Sequence, residues 1–349
     1  MAHTVTVPLP LNFLKEEADL YIPYQTYISP IQKTKKFKNT FVAFTGFCVN
    51  KGGLIKECHH NNPVQYQNYL GEATWYYYNA VDNPENLVTL DDDLTYVVVH
   101  HPWFNYYHWI CESIFRLWMV RSKLPELILI LPEFYKEADF ITGSLEPFNI
   151  QKILYIPDGK SLLIKNVCLP QIKPVCDSYN ANQVRQVSNF YRDYVLNKKK
   201  FDVPLIEKLY VSRKLASRRK VVNEDVIEDI LEKFGFTIFH PEKYCFLEQV
   251  TIFSRVKFLV CEHGSGTTNM LFMDKNTSVL ELHKNRTNEL NHPSFLFWYM
   301  AEALGINYYH QSCATVGRED YFEGDYFIDP TFLKKNLNLM IHEKKGIAH

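Results

Sequence analysis

The sequence predicts an α/β fold of two Rossmann-like domains, and three observations carry that expectation. From residue 209 onward short apolar runs alternate with helix-compatible stretches, a glycine turn joins one such run to the next helix, and the chain is long and apolar enough to fill two cores.

The alternation places strands over 209–212, 236–240, 257–261, 278–282 and 307–310, and helices over 223–234, 246–254, 266–273 and 294–304. Strands that alternate with helices in this way form a parallel sheet covered on both faces. Asn223 stands where it can cap the first helix, with Glu224 and Asp225 in the opening turn. Gly235 and Gly305 follow helix ends that call for a left-handed residue. The N-terminal half is less regular. It reads as β segments over 41–49 and 54–58, a strand over 95–100, a long helix over 104–123, a strand over 127–131, a helix over 134–143 and β segments over 153–156 and 161–169. A helix over 181–196 runs into the charged, proline-closed stretch 197–204, so the expected domains are 1–200 and 201–349.

Composition narrows the function classes. With 46% hydrophobic and 22% charged residues the whole length is expected to fold. Lys and Arg number 38 against 39 Asp and Glu, which excludes a general attraction for nucleic acid or anionic membrane, so any phosphate binding has to be local. The eight cysteines include no C-x-x-C pair and read as reduced core residues, neither a zinc site nor a disulfide scaffold. The first residues lack the basic start and apolar core of a signal peptide, and no apolar run approaches the roughly 18 residues of a membrane span. A cytoplasmic protein without a transmembrane segment is the expectation.

Ligands of open parallel sheets bind beyond the carboxyl ends of the strands, so the residues after each strand carry the functional reading. Glu262-His263-Gly264-Ser265-Gly266-Thr267-Thr268-Asn269 follows the strand over 257–261 and opens a helix. Glycines let backbone approach a ligand closely, and the free N–H groups of a first helical turn suit an anion such as phosphate. After the strand over 209–212 comes Ser212-Arg213-Lys214-Leu215-Ala216-Ser217-Arg218-Arg219-Lys220, either a solvated basic loop or a cluster of guanidinium forks for a diphosphate. Arg213 is the favoured cation, with Arg218 or Arg219 second. Glu281 is an acid inside an apolar strand, placed to bind both ribose hydroxyls of a nucleotide or to form an ion pair at the sheet edge.

In the other half, Asn105, His108 and Glu112 share one helix face, while Trp109, Ile114, Leu117 and Trp118 serve a core. A His with a Glu one turn away is what a general base with an orienting carboxylate needs, and it is also a common structural pair. The aromatic cluster Trp103, Tyr106, Tyr107 and Trp109 suits stacking on sugar rings or a core. Asp91-Asp92-Asp93 reads as an acidic turn before a strand in preference to a metal motif. The G-x-S-x-G elbow of serine hydrolases is absent, since His263 and Thr267 stand where its glycines belong. A nicotinamide fingerprint should follow the first strand, where Arg213 and Lys214 stand instead.

In this order the motifs resemble glycosyltransferase family 61. The matching residues are Asn105-Tyr106-Tyr107-His108-Trp109 with Glu112, Tyr210-Val211-Ser212-Arg213 with Arg218-Arg219 and Asn223-Glu224, and Glu248-Gln249. They continue with His263-Gly264-Ser265-Gly266, Thr268-Asn269, Phe272 and Val279-Leu280-Glu281-Leu282. Ser265 stands where relatives often have alanine. The resemblance implies a GT-B architecture, with two Rossmann-like domains facing each other across a cleft, and an inverting transfer without a bound metal or other cofactor. It implies a nucleotide-sugar donor, mostly linked to uridine diphosphate and carrying xylose, N-acetylglucosamine or a similar sugar, held by Arg213, Lys214, Arg218, Arg219, His263, Gly264, Ser265, Gly266, Thr267, Thr268, Asn269 and Glu281. His108 and Glu112 would be catalytic, and Trp103, Asn105 and Tyr107 would meet a glycan acceptor. By analogy that acceptor belongs to bacterial cell-surface polysaccharide or lipopolysaccharide assembly, is lipid-linked in one version, and admits peripheral membrane association. The competing class is a non-catalytic nucleotide- or glycan-binding module.

Overall fold

A computed structural model of the chain describes residues 2–286, 292–317 and 323–342. It is a mixed α/β protein whose residues divide into two compact units, one of 30–178 and one of 2–29 with 179–349.

The second unit carries the alternating pattern. Its sheet runs, in spatial order, Thr237–Phe239, Lys208–Val211, Phe258–Glu262, Ser278–Lys284, Asn307–Val316 and Asp325–Phe327. The first five are parallel and follow the order 2-1-3-4-5 of a doubly wound sheet, while the sixth closes the edge antiparallel. Tyr210, Val260 and Leu280 from three adjacent strands join Ile227 and Leu231 of helix Glu224–Lys233 and Leu337 of helix Pro330–His342 in one core. Gly235 and Gly305 are left-handed, at φ 80° and 75°, and end their helices as expected. Asn223 does not cap its helix. Its amide donates to the carbonyl of Ile328 and accepts from the N–H of Ile328, tying the helix start to the far edge of the unit.

Two pieces of this unit lie outside the expected domain 201–349. Helix Ala181–Asp193 packs Tyr191 against Phe246 and Phe272, and Arg192 pairs with Asp274 at 3.0 Å. The N-terminal segment also belongs here. Thr4–Thr6 and Thr26–Ile28 form a two-stranded ribbon, the Leu11 N–H donates to the Tyr308 carbonyl, and the Asn12 side chain brackets the His310 backbone. Tyr21 is buried edge-on to Trp298 with ring centroids 5.1 Å apart. The division between units therefore falls at 178/179 and not at the charged stretch near 200.

In the first unit the spatial order is Gly53–Leu54, Cys48–Asn50, Thr34–Val42, Ser161–Pro170, Thr95–Val98, Leu127–Pro132 and Ile153–Ile156, and Leu87–Leu90 adds to one end of Ser161–Pro170. The last four strands of that order are mutually parallel, and Thr34–Val42 joins them antiparallel. Helix Pro63–Asp82 is an element the sequence reading did not predict. Asn62 caps it by accepting from the N–H groups of Val64 and Gln65, with proline in the first turn. The long helix expected over 104–123 is broken up. Tyr106–His108 leads into a wider π-helical turn, Trp109–Ser113, before α-helix resumes over Ile114–Met119. Arg116 is fully buried and donates to the carbonyls of Val98, Val99, His100 and Pro170, which pins the backbone at the carboxyl end of strand Thr95–Val98.

No helix among the described residues is long and apolar enough to cross a membrane. All eight cysteines are free thiols.

Candidate functional site

Two polar clusters form at carboxyl ends of parallel strands, one in each unit. In the second unit the glycine turn after Phe258–Glu262 is the centre. Gly264 takes φ 153°, and a Cβ added there would lie 3.2 Å from Arg213 Nη1 and 3.5 Å from Arg219 Nη2, so two guanidinium groups converge on the turn. Arg213 is aimed by backbone carbonyls: Nε donates to Arg219 O at 2.9 Å and Nη2 to Arg218 O at 3.1 Å. Its own N–H and the Ser212 hydroxyl both donate to the buried Glu224 carboxylate, which anchors the loop. Burial, and then the neighbouring charge of Arg213, lowers the pKa of Arg219. The other expected cations are committed elsewhere. Lys214 pairs with Asp225 at 2.8 Å and Glu228 at 3.1 Å, and Arg218 pairs with Glu323 at 2.9 Å.

Ser265–Phe272 is a 3-10 helix where an α-helix was expected. Gly266 is required by packing, since a Cβ there would sit 2.9 Å from Val211 Cγ1. Ser265 is exposed on the turn. Thr267 is buried and donates to the Glu262 carbonyl at 2.8 Å, and Asn269 donates to Gln249 at 2.9 Å, so both serve the turn's architecture. The buried Thr268 hydroxyl has no hydrogen-bond partner among the described residues.

Glu281 is fully buried and its carboxylate is already occupied. Oε1 lies 2.5 Å from His263 Nδ1 and Oε2 accepts from the Tyr308 hydroxyl at 2.6 Å. Burial raises its pKa, but the His263 hydrogen bond and charge outweigh that and leave it lowered. Both oxygens are taken, so it orients His263 and is not placed to bind ribose hydroxyls. Glu262 is a residue that sequence reasoning missed. It is buried at the end of its strand, accepts from Tyr210 at 2.6 Å and leaves Oε2 without a partner. Burial pushes its pKa up to about 7.

In the first unit, His108 Nδ1 lies 2.7 Å from Glu112 Oε2, and Glu112 is completely buried. The spacing of four residues was legible in the sequence. Its burial was not, and neither was the third member, His60, whose Nε2 stands 2.9 Å from Glu112 Oε1. His60 Nδ1 is bonded to the Lys173 carbonyl. Burial raises the Glu112 pKa, but the charges of His60 and His108 overcome it and hold the carboxyl well below its usual range. With the carboxylate ionised, Nδ1 of His108 carries the shared proton, and in the neutral ring Nε2 offers the lone pair.

Around this core, His101 stacks on His108 with centroids 5.7 Å apart, and Trp103 stacks on His60 at 5.4 Å. Asn105 caps the helix by accepting from the His108 N–H at 3.0 Å. Tyr107 is buried, accepts from Lys173 Nζ and donates to the Cys176 carbonyl. Of the three residues expected to meet an acceptor, Trp103 edges the cluster, with its ring against those of His60, Tyr69, His101 and His108. His60, His108, Glu112 and Cys176 each bring one ligand-type atom within 4.8 Å of the others, a group that could hold a metal ion. The acidic turn 91–93 is structural: Asp92 accepts from the Leu94 N–H and the Tyr96 hydroxyl, and Asp93 pairs with Lys165.

Comparison with known proteins agrees with the resemblance. The chain is 24% identical over 225 residues to the EGF domain-specific O-linked N-acetylglucosamine transferase of Drosophila melanogaster, a match that covers 56% of this chain and 43% of that protein. The chain thus spans less than half the length of that relative. The family model described as Glycosyltransferase 61 matches residues 106–280, half of the chain, from the turn that begins with Tyr106 to the strand that carries Leu280. By that match the chain belongs to glycosyltransferase family 61.

Proposed function

We propose that the protein is an inverting glycosyltransferase that moves a sugar from a nucleotide-diphosphate donor to a hydroxyl of a glycan acceptor. The observation that carries this is the convergence of Arg213 and Arg219 on the Gly264 turn, beyond the carboxyl ends of a doubly wound sheet. Two guanidinium groups beside close-approaching backbone suit the charge that develops on a leaving diphosphate. The GT-B reading gives the donor to the second unit, and the acceptor and its base to the first.

In the reaction, His108 Nε2 takes the proton of the acceptor hydroxyl, and the oxygen attacks the anomeric carbon. The bond from that carbon to the diphosphate oxygen breaks on the opposite face, which inverts the configuration. Glu112 holds the His108 ring and stabilises the imidazolium that forms. Arg213 and Arg219 take up the diphosphate charge in the role a metal ion has elsewhere, so the transfer needs no metal cofactor. His263, oriented by Glu281, contributes a second polar group at the donor end of the turn.

Uridine diphosphate is the proposed carrier, and N-acetylglucosamine the first sugar to try, because the Drosophila relative is named for that transfer. Xylose is the second. The proposed setting is bacterial cell-surface polysaccharide assembly in the cytoplasm, which the eight free thiols support. The test is a panel of nucleotide sugars, read by thermal stabilisation and by nucleoside diphosphate release with and without chelator. Selective stabilisation by one donor with chelator-resistant release is expected. Stabilisation without turnover, in the presence of glycan acceptors, would point to a binding module instead.

A further inference from the structure

His60 presents an unusual contact. Its Nδ1 is 2.9 Å from the Lys173 carbonyl, which can only accept, so the ring proton sits there and Nε2 carries a lone pair. That nitrogen stands 2.9 Å from Glu112 Oε1, a second acceptor, inside the protein, and neither atom makes a hydrogen bond. Two acceptor atoms at that separation need a positive centre between them: the proton of a charged His60, whose charge lowers the Glu112 pKa, or in its place a metal ion. A metal ion needs only that the lone pairs converge.

Two further residues join them. His108, which turns Nδ1 to Glu112, and Cys176 complete a set in which every ligand-type atom is within 4.8 Å of the others. Tetrahedral zinc with bonds of about 2.0–2.3 Å places its ligand atoms roughly 3.3–3.8 Å apart. The 2.7 and 2.9 Å contacts need to open, and the widest to close, by no more than about 1.5 Å of side-chain adjustment. Two imidazoles, a carboxylate and a thiolate favour zinc over magnesium or calcium. The Lys173 carbonyl on His60 supplies the outer-shell contact that fixes a ligating ring.

We propose that His60, His108, Glu112 and Cys176 form a zinc site that switches the enzyme off. This inference rests on the transfer mechanism proposed above, in which His108 works as a metal-free base. Zinc takes the Nδ1 lone pair of His108, which moves the ring proton to Nε2 and removes the lone pair that would accept the proton of the acceptor. The Cys176 thiol proton leaves to solvent as the thiolate binds the ion.

Titration of the metal-stripped full chain with Co²⁺, and with Zn²⁺ in competition, tests the site without reference to transfer. The expected result is uptake of one ion per chain, with a thiolate-to-cobalt absorption band in the near ultraviolet. Cys176→Ser should lose that band, while Cys245→Ser, in the second unit, should keep it. His60→Gln should weaken zinc by at least the roughly 10–100-fold that losing an outer-shell partner costs. If the wild type takes up no ion at one equivalent, or if the band survives in a folded Cys176→Ser, the site is refuted. In transfer assays one equivalent of zinc should abolish turnover, with recovery on chelation, and turnover that persists in the zinc-loaded protein would refute the switch. A protein that binds zinc but transfers no sugar when stripped would leave the site standing and defeat the transfer reading.

Discussion

Glu281 and Glu112 share one arrangement: a buried carboxylate with one oxygen bonded to a histidine and the other beside one further group. Such a carboxylate fixes which ring nitrogen holds the proton, and so decides what the outward nitrogen can do. His108→Ala should lower transfer by roughly 10²–10⁴-fold while donor affinity is kept, as measured by turnover and by calorimetric titration of the donor. Arg213→Ala should act on binding itself and weaken the donor by about tenfold to a hundredfold, the value of a charged hydrogen bond. Unchanged donor affinity would remove Arg213 from the diphosphate site. Glu262 offers a test by pH. Its folded pKa of about 7 lies above that of a solvated carboxyl, so the unfolded chain ionises first and stability falls as pH rises through the interval between the two. Glu262→Gln cannot ionise, so its stability relative to wild type should improve by up to about 3 kcal/mol from pH 4.5 to 7 in denaturant titrations.

The elements do their work through close approach and caps. Gly266 lets the 3-10 turn press against strand Lys208–Val211, and Gly266→Ala should cost about 1–3 kcal/mol, because Val211 must move to admit a methyl group 2.9 Å away. Donor affinity should fall with it, since the same strand leads into Arg213. Arg116 has a comparable role in the first unit, where its four carbonyl contacts hold the loop that carries His100 and His101. Glu112 lies in the π-helical turn over Trp109–Ser113, within a run from Trp109 to Trp118 that is buried on every side.

For the molecule as a whole, the N-terminal segment is part of the second unit's stability. Tyr21 packs on Trp298 and reaches His283 Nε2 at 2.8 Å, and Glu17 pairs with His310 at 3.0 Å. Tyr21→Ala should therefore destabilise the second unit by about 3–5 kcal/mol, as large buried aromatics do. Denaturant unfolding of the full chain checks this, and a loss under about 1 kcal/mol would show the segment to be a loose strap.

The sequence by itself determined the parallel sheet of the second unit, the glycine turn, the left-handed helix ends and the His108–Glu112 spacing. Each is a local signal: the alternation of strand and helix, a residue without a Cβ, a period of 3.6. Helix Pro63–Asp82 had its own local signal in the Asn-Pro pair that opens it, in a stretch to which the sequence pattern assigned no element. Only the tertiary structure decided that His60, 48 positions before His108 in the chain, meets Glu112, that Glu281 turns to His263, and that Lys214 and Arg218 are neutralised by partners while Arg213 and Arg219 face the turn. It also gave residues 2–29 to the second unit. Those outcomes depend on which remote carboxylates and rings the packed sheet brings within a few ångströms of a side chain, and no local pattern encodes distance between segments far apart in the chain.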